Sequence, residues 1–479
     1  MILRNKYIAI IFISLSLSFI LEYFNFKKIH TEFFKIDDID LILSEIITNN
    51  NLEALETRKV YYDDKFILGR ALFHEPLLSG TRDVACVTCH LPQFGSSDGL
   101  STSIGSGGRG LGHDRKTNEG IINLQPRNSL DLFNRDHNSV TSLFWDGSVE
   151  VSRELLENSH DSTFHTSLGN SLPNNIENLM AAQSIFPITR HDEMLGNPGS
   201  ISPNFLPSEH ANKDNELANL SSSLNYNEKL NKVMNLIIYR LVGNENTQHF
   251  WHTEYRDLFA NAYPGLEIKN ITAAHLMNAL SRYEEVAFAT RNTPWDKYLN
   301  GDISAISYDA KLGAKLFYSK ARCSSCHSGE LFSDFNFYSI GVPKFGFGFD
   351  GNGEDLGRYY VTKNNKDKNK FRTSPLRNVM LTSPYFHNGS VTDIDNVIKQ
   401  HLNPYLYSKK YKDDGSFVVM TDAELQNINS IYKAKLILTD QEVSHLKKFL
   451  TSLTDNGSLS KETLTPNNVP SGLFKYLDR

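Results

Sequence analysis

Cysteine is nearly absent outside two short motifs. The 479 residues hold four, Cys86, Cys89, Cys323 and Cys326, and all four lie in Cys-x-x-Cys-His runs, CVTCH at 86–90 and CSSCH at 323–327. None is left over for a lipid-attachment site. A basic excess is also missing: the net charge of −6 carries no footprint of a nucleic-acid binder. Strand signals are few, and the βαβ context that a thioredoxin-like redox pair wants is lacking. What is present, 40% hydrophobic and 11% aromatic residues, suits ordinary globular cores, and the length is enough for two or three domains.

The chain begins MILRNKYIAIIFISLSLSFILEYFNFKK. Arg4 and Lys6 precede an apolar run from Tyr7 to Leu21, the pattern of an export signal or a signal anchor. No small-x-small cleavage site is evident. With Glu22 tolerated, Tyr7 to Phe26 is just long enough to span a bilayer. The competing reading is a buried helix of a cytosolic protein. The expectation is a chain exported to the periplasm, either freed by cleavage or tethered to the inner membrane.

Both Cys-x-x-Cys-His motifs fit covalent haem c attachment. Two thiols add across the haem vinyl groups, and the adjacent histidine, His90 or His327, supplies the proximal iron ligand. Other readings fit less well. A four-cysteine zinc site would have to join knuckles about 230 residues apart and would idle both histidines. A disulfide within either motif would be strained. Two covalently bound haems c are therefore expected.

An internal repeat accompanies the motifs: LGRALF (68–73) precedes the first and LGAKLF (312–317) the second. Each haem is expected in its own related domain. The chain divides into a targeting segment (1–28), a linker or first helix (29–60), an N-terminal haem domain (61–300), a C-terminal haem domain (301–460) and a tail (461–479). The fold class is mostly α, two cytochrome c-type domains with long loops. Helical patterns run over Ile176–Phe186, Asn227–Leu241 and Thr272–Ala289, and residues 196–223 read as a poorly ordered insert. Capping boxes at Thr421/Glu424 and Thr439/Glu442 open two late helices. In the second of these, Val443, Leu446, Phe449, Leu450 and Leu453 make one apolar face. The acidic run DGNGED (350–355) could take calcium, although such runs are more often solvated loops.

The blocks LGRALFHEPLLSG, CVTCH, DGLSTSIG, PRNS, FWDG, AAQSIFPITRHDEMLG, CSSCHSGELFSD, FRTSPLRNVMLTSPYFHNGS and HLNP resemble, in that order, the bacterial dihaem cytochrome c peroxidases. That family includes the maturase of methylamine dehydrogenase. The resemblance covers roughly residues 60–455. It implies an N-terminal haem where hydrogen peroxide reacts and a C-terminal haem that relays electrons from a small donor protein, a cytochrome c or a cupredoxin; the alternatives are a maturase-like oxidase that uses peroxide on a protein substrate and a pure electron-transfer dihaem cytochrome. It also implies that His90 and His327 are proximal ligands and that Gln183 and Glu193 are the amide and carboxylate of the peroxide pocket. Trp145 then lies between the haems, and Asn128 with the carbonyls of Thr382 and Pro384 holds a calcium ion at the domain junction. A homodimer is the family habit. A carboxylate in a partly dry pocket has a raised pKa and can carry a proton between the peroxide oxygens. Alone, Glu193 would read as a surface acid and Trp145 as core packing.

Two positions depart from the family pattern. Sixteen residues after His90, where many of these enzymes carry a second histidine ligand, stands Ser106, a poor ligand. The N-terminal haem is then expected to be open to peroxide without prior reduction, unless His113 substitutes. Fourteen residues after His387, where peroxidases carry methionine and the maturase tyrosine, stands His401. In a helix capped by Thr392 it shares a face with Ile394, Val397 and Ile398 and can point at the iron. A core histidine is the bland alternative, and Tyr405 and Tyr407 are nearby competitors. Imidazole in place of methionine lowers the haem potential.

Overall fold

The computed structural model describes residues 38–57, 59–117, 123–151, 164–167, 172–220, 224–244, 249–407, 428, 436–457 and 464–477. The expected targeting segment and the expected Thr421/Glu424 capping box lie outside them. Among the described residues no helix is long and apolar enough to cross a membrane. The chain is mostly helical, with a few strands of two or three residues.

Two hydrophobic cores are built on the same plan. In the first, helix α1 (Asp38–Asn49) takes no part. Helix α2 (Asp64–Phe73), capped by Asp63 Oδ1 accepting from Phe66 N at 2.8 Å, precedes the first haem motif. It packs with α3 (Leu179–Thr189), α4 (Tyr226–Val242), α5 (Phe250–Ala262) and α6 (Ala273–Ala287). In the second core, α7 (Pro294–Leu299), α8 (Tyr308–Tyr318), α9 (Ile394–Leu402) and α10 (Asp440–Ser452) pack together with α1.

The repeated Leu-Gly has a physical cause. A Cβ added at Gly69 of α2 would lie 1.9 Å from the Ala279 carbonyl oxygen of α6, and one at Gly313 of α8 would lie 2.0 Å from the His445 carbonyl oxygen of α10. In both cores the helix that leads into the haem motif crosses a later helix backbone to backbone, and only glycine leaves room.

The capping box on α10 is present, and its five apolar residues are all buried. Several sequence expectations need correction. Of the two readings for residues 29–60, the described part from Asp38 on holds a first helix: α1 docks on the second core, with Asp40 paired to Lys311 at 2.8 Å and accepting from Tyr298. The segment expected to be a poorly ordered insert is packed over 196–220. Asn215 is fully buried and donates to the Leu195 carbonyl at 2.7 Å, with Leu217 buried beside it. The residues after 463 return to the first core, where Leu464, Leu473 and Leu477 are buried and Ser471 donates to Glu75. Helix α9 is capped by Asp393, not Thr392, because the Asp393 carboxylate accepts from Asp395 N.

Of the strands, β1 (Gly108–Arg109) pairs with β2 (Lys116–Thr117), and β3 (Ser142–Leu143), β4 (Val149–Val151) and β5 (Phe164–Thr166) form an antiparallel sheet. Strands β6 (Phe337–Tyr338) and β7 (Phe371–Arg372) pair antiparallel near the second haem motif, with Tyr338 opposite Phe371.

Candidate functional site: two histidine-anchored cavities

Each Cys-x-x-Cys-His motif forms a tight turn on the wall of a cavity. In the first, Cys86–Cys89 is a single helical turn and the His90 N–H donates to the Cys86 carbonyl at 3.1 Å. The Nδ1 of His90 lies 2.9 Å from the Ser96 carbonyl, which leaves Nε2 for the cavity. In the second, the His327 N–H donates to the Cys323 carbonyl at 2.9 Å and Nδ1 lies 3.0 Å from the Phe332 carbonyl. A hydrogen bond on one ring nitrogen fixes the tautomer and orientation in which the other binds a metal. None of the four cysteines forms a disulfide.

The two cavities differ in what faces the histidine. The second is lined by Cys323, Cys326, His327, Ile394, Val397, Ile398 and His401. The rings of His327 and His401 are 6.4 Å apart, centre to centre. His401 Nδ1 is held by the Val397 carbonyl at 2.8 Å. Two imidazoles sharing one ion, each about 2 Å from it through nitrogen, have ring centres roughly 6 Å apart. Burial, then the facing His401, pushes His327 down to about 4, and burial lowers His401 as well, so both rings are neutral as a metal ligand requires. Tyr405 and Tyr407 follow the end of α9 and do not line this cavity.

The first cavity is lined by Cys86, Cys89, His90, Trp145, Gln183, Arg190, Glu193 and Glu284, among others. Helix α3 supplies Gln183, and the turn after it (His191–Leu195) supplies Glu193. Burial raises the Glu193 carboxyl, and Arg190, 3.0 Å away, partly opposes that. The loop that carries Gly105 and Ser106 braces this turn. The Ser106 N–H donates to the Glu193 carbonyl at 2.7 Å, and a Cβ at Gly105 would come within 2.5 Å of that same oxygen. The Ser106 side chain is buried against Thr81 and does not line the cavity. His113 is exposed and packs edge-on against Phe94, also outside it.

Trp145 lines this cavity and also a third one at the junction, which Cys326, His327 and His401 share. Its indole N–H donates to the Asn128 carbonyl at 2.9 Å. Asn128, Thr382 and Pro384 line the junction cavity together. Asn128 Nδ2 donates to the Leu100 carbonyl, so its Oδ1 stays available. Among the described residues no cluster of His, Cys, Asp or Glu is arranged to hold a metal ion. The DGNGED carboxylates are otherwise engaged: Asp350 with Tyr360, Glu354 with Lys344 and Asp355 with Arg127.

The residues present fit haem. Beyond the motifs and the facing histidines, the buried Arg372 lines the junction cavity with Nη2 unpartnered, as an acidic ring substituent would require.

Sequence reasoning missed several residues at the site. Arg190 stands three positions before Glu193, a spacing that could have suggested the pair. Glu284 lies on the buried side of α6, its carboxyl pushed up by burial to about 8. Arg127 bridges Asp146 at 2.7 Å and Asp355 at 2.7 Å, and the Phe349 ring under its guanidinium joins the first cavity's wall. Nothing local in the sequence marks the pairing of Arg127 with Asp355, 228 residues away.

A family model described as di-haem cytochrome c peroxidase matches residues 63–304, and the chain belongs to that family. It is 27% identical over 369 residues to "Cytochrome c peroxidase Ccp" of Escherichia coli, covering 77% of this chain and 58% of that protein. It is 29% identical over 359 residues to "Cytochrome-c peroxidase IdrP1" of Pseudomonas sp. (70% of this chain, 71% of the other). To "Methylamine utilization protein MauG" of Methylorubrum extorquens it is 27% identical over 341 residues (71% and 69%). The fold is shared with a MauG-like protein associated with microbial copper homeostasis, at a TM-score of 0.54 and 22% identity over 84% of this chain and 92% of the other. It is shared equally with the diheme peroxidase BthA from Burkholderia thailandensis, at 0.54 and 18% over 85% and 89%.

Proposed function

We propose that this protein is a periplasmic dihaem c-type peroxidase that reduces hydrogen peroxide to water with electrons from a small redox protein, a cytochrome c or a cupredoxin. The observation that carries this reading is the contrast between the cavities: His327 faces His401 across one, whereas His90 shares the other with a carboxylate and an amide. Two bound haems would supply the redox chemistry, one reacting with peroxide and one relaying electrons. Gln183 orients peroxide by hydrogen bonding. The Glu193 carboxylate, made more basic by burial, would accept a proton from one peroxide oxygen and return it to the other, a service worth about a hundred- to ten-thousand-fold. Arg190 holds the carboxyl in place. Trp145 joins the two centres, and the oxygens of Asn128, Thr382 and Pro384 suit calcium, which takes oxygen ligands alone.

A second reading is a maturase-like oxidase that spends the oxidising equivalents on a protein substrate. Its support is His401, since two imidazoles hold a haem at low potential compared with imidazole and methionine. Turnover with a reduced cytochrome c or cupredoxin, set against peroxide-driven change in a protein partner, separates the two.

The test of the site is the EPR and visible spectrum of the diferric protein before and after one equivalent of peroxide. One high-spin and one bis-imidazole low-spin haem, with immediate change on peroxide, is the expected result. Two low-spin haems that stay inert until half-reduced would mean that another residue closes the first cavity and that reduction is needed to open it.

A further inference from the structure

Tyr338 is not used by the reading above, yet it sits against the second haem motif. It lies on β6, half-buried, and lines the junction cavity with Cys326, His327 and Trp145. Its hydroxyl donates to Asp334 Oδ2 at 2.7 Å and also lies in hydrogen-bond contact with the Cys326 sulfur. The carboxylate is fixed from several sides: Asp334 N–H donates to the Cys326 carbonyl at 2.9 Å, Asn336 N–H donates to Oδ1 at 2.9 Å, and Asn336 Nδ2 donates to Oδ2 at 3.1 Å. One phenol therefore touches a haem-bearing sulfur on one side and a held proton acceptor on the other.

Its neighbours extend the contact. Across the strand pair Tyr338 faces Phe371, which stacks on His387 at 3.6 Å, and His387 lies 6.4 Å from the Trp145 ring. Tyr338 is the outer end of an aromatic belt that starts at the residue between the cavities. Two other tyrosines make a useful contrast. Tyr385 lines the same cavity, but among the described residues no carboxylate accepts from its hydroxyl. Tyr318, in the second core, has a buried hydroxyl with no hydrogen-bond partner. Oxidising a phenol at neutral pH requires that its proton leave with the electron, so a positioned base decides which tyrosine reacts.

We propose that Tyr338 is a redox-active relay through which the second haem centre exchanges electrons with a one-electron protein partner at the surface. The step balances. Peroxide takes two electrons and would leave the dihaem unit two equivalents oxidised; Tyr338 supplies one electron at a time, two passes clearing both equivalents, and on each pass its hydroxyl proton goes to the Asp334 carboxylate. The neutral tyrosyl radical then takes one electron from the partner, a reduced redox protein or an oxidisable protein side chain, and recovers the proton from Asp334. The inference rests on the peroxide reading for its oxidant.

The experiment is EPR of the holoprotein frozen after one equivalent of peroxide, with the haem absorption recorded on the same sample. An organic radical that narrows when the protein carries ring-deuterated tyrosine is expected. It should vanish in Tyr338→Phe and fall at least about tenfold in Asp334→Asn, with the haem response to peroxide retained in both. A radical insensitive to deuteration, or one that persists in Tyr338→Phe, would overturn the assignment. So would haems that respond to peroxide in the unaltered protein without forming any radical. The labelling result needs no variant and survives a failure of either to fold. If the haems ignore peroxide, hexachloroiridate replaces it as a one-electron oxidant. A Tyr338 radical under iridate alone would discard the peroxidase reading and keep the relay, and its absence under both oxidants would discard both.

Discussion

The two haem-binding regions start from one plan and end in opposite states. Both have a Leu-Gly helix that crosses a later helix at a glycine, a Cys-x-x-Cys-His turn, and a histidine whose Nδ1 is held by a backbone carbonyl. They part at the far wall. Around His327 that wall is a helix that presents Ile394, Val397, Ile398 and His401. The His90 cavity is lined instead by the middle of α3, which supplies Gln183, and by the irregular turn after it, which supplies Glu193. A site closed by a second imidazole suits electron relay, because no substrate has to enter. A site faced by groups that hydrogen-bond and exchange protons suits chemistry on a small molecule. On the proposed reading, what would separate carrier from catalyst is what shares the cavity with each histidine, not the motif.

The sharpest way to break this contrast is to open the closed site. His401→Ala should turn the second haem from low-spin to high-spin in EPR and visible spectra, and added imidazole should restore it. A low-spin spectrum that persists would give the ligand role to another residue. Next in size is Glu193→Gln, expected to slow the reaction with peroxide at least tenfold and up to about ten-thousand-fold in stopped-flow absorption, with the second haem's spectrum unchanged. Unaltered kinetics would remove Glu193 from the chemistry.

The two cores can be separated by stability as well. Arg377 grips Asp296 through two hydrogen bonds of 2.7 and 2.8 Å, and both side chains are almost fully buried. Asp296→Ala leaves that guanidinium unpaired, at a cost of about 3–5 kcal/mol. Calorimetry should show the transition of the second core lowered more than that of the first. The smallest effect belongs to the first core. Glu75 is buried there, its carboxyl raised to about 7 by desolvation despite hydrogen bonds from Ser471, Tyr255 and Leu77. A carboxyl raised above its unfolded value resists ionisation in the fold. Stability should therefore fall by up to about 3 kcal/mol as pH climbs from about 4.5 to about 7. Glu75→Gln should flatten that slope in urea titrations across the window, and an unchanged slope would place the pH dependence elsewhere.

Much of this was legible in the sequence because it is local. Three residue types at fixed spacing define each motif, and a 3.6-residue period places His401 on the same face as Ile394, Val397 and Ile398. Helix ends were less secure. Asp393 and Thr392 are both good caps, and the choice between them depends on which side chain reaches the free N–H of Asp395. Residues 196–220 look like a solvated loop by composition, yet Asn215 spends its amide on the Leu195 carbonyl and brings Leu217 into the core. One well-placed side chain outweighed the polar average.

By itself the sequence determined the covalent chemistry: two thiols and a histidine in five residues, twice, with the helix that leads into each and the glycine that lets it pack. The tertiary structure decided what faces what. It set His401 6.4 Å from His327, put Trp145 on the wall of two cavities, and joined Arg127 to Asp355. A motif is written by bonds between neighbours in the chain. An open or closed site is a distance between residues far apart in it, and only the packing of the two cores fixes that distance.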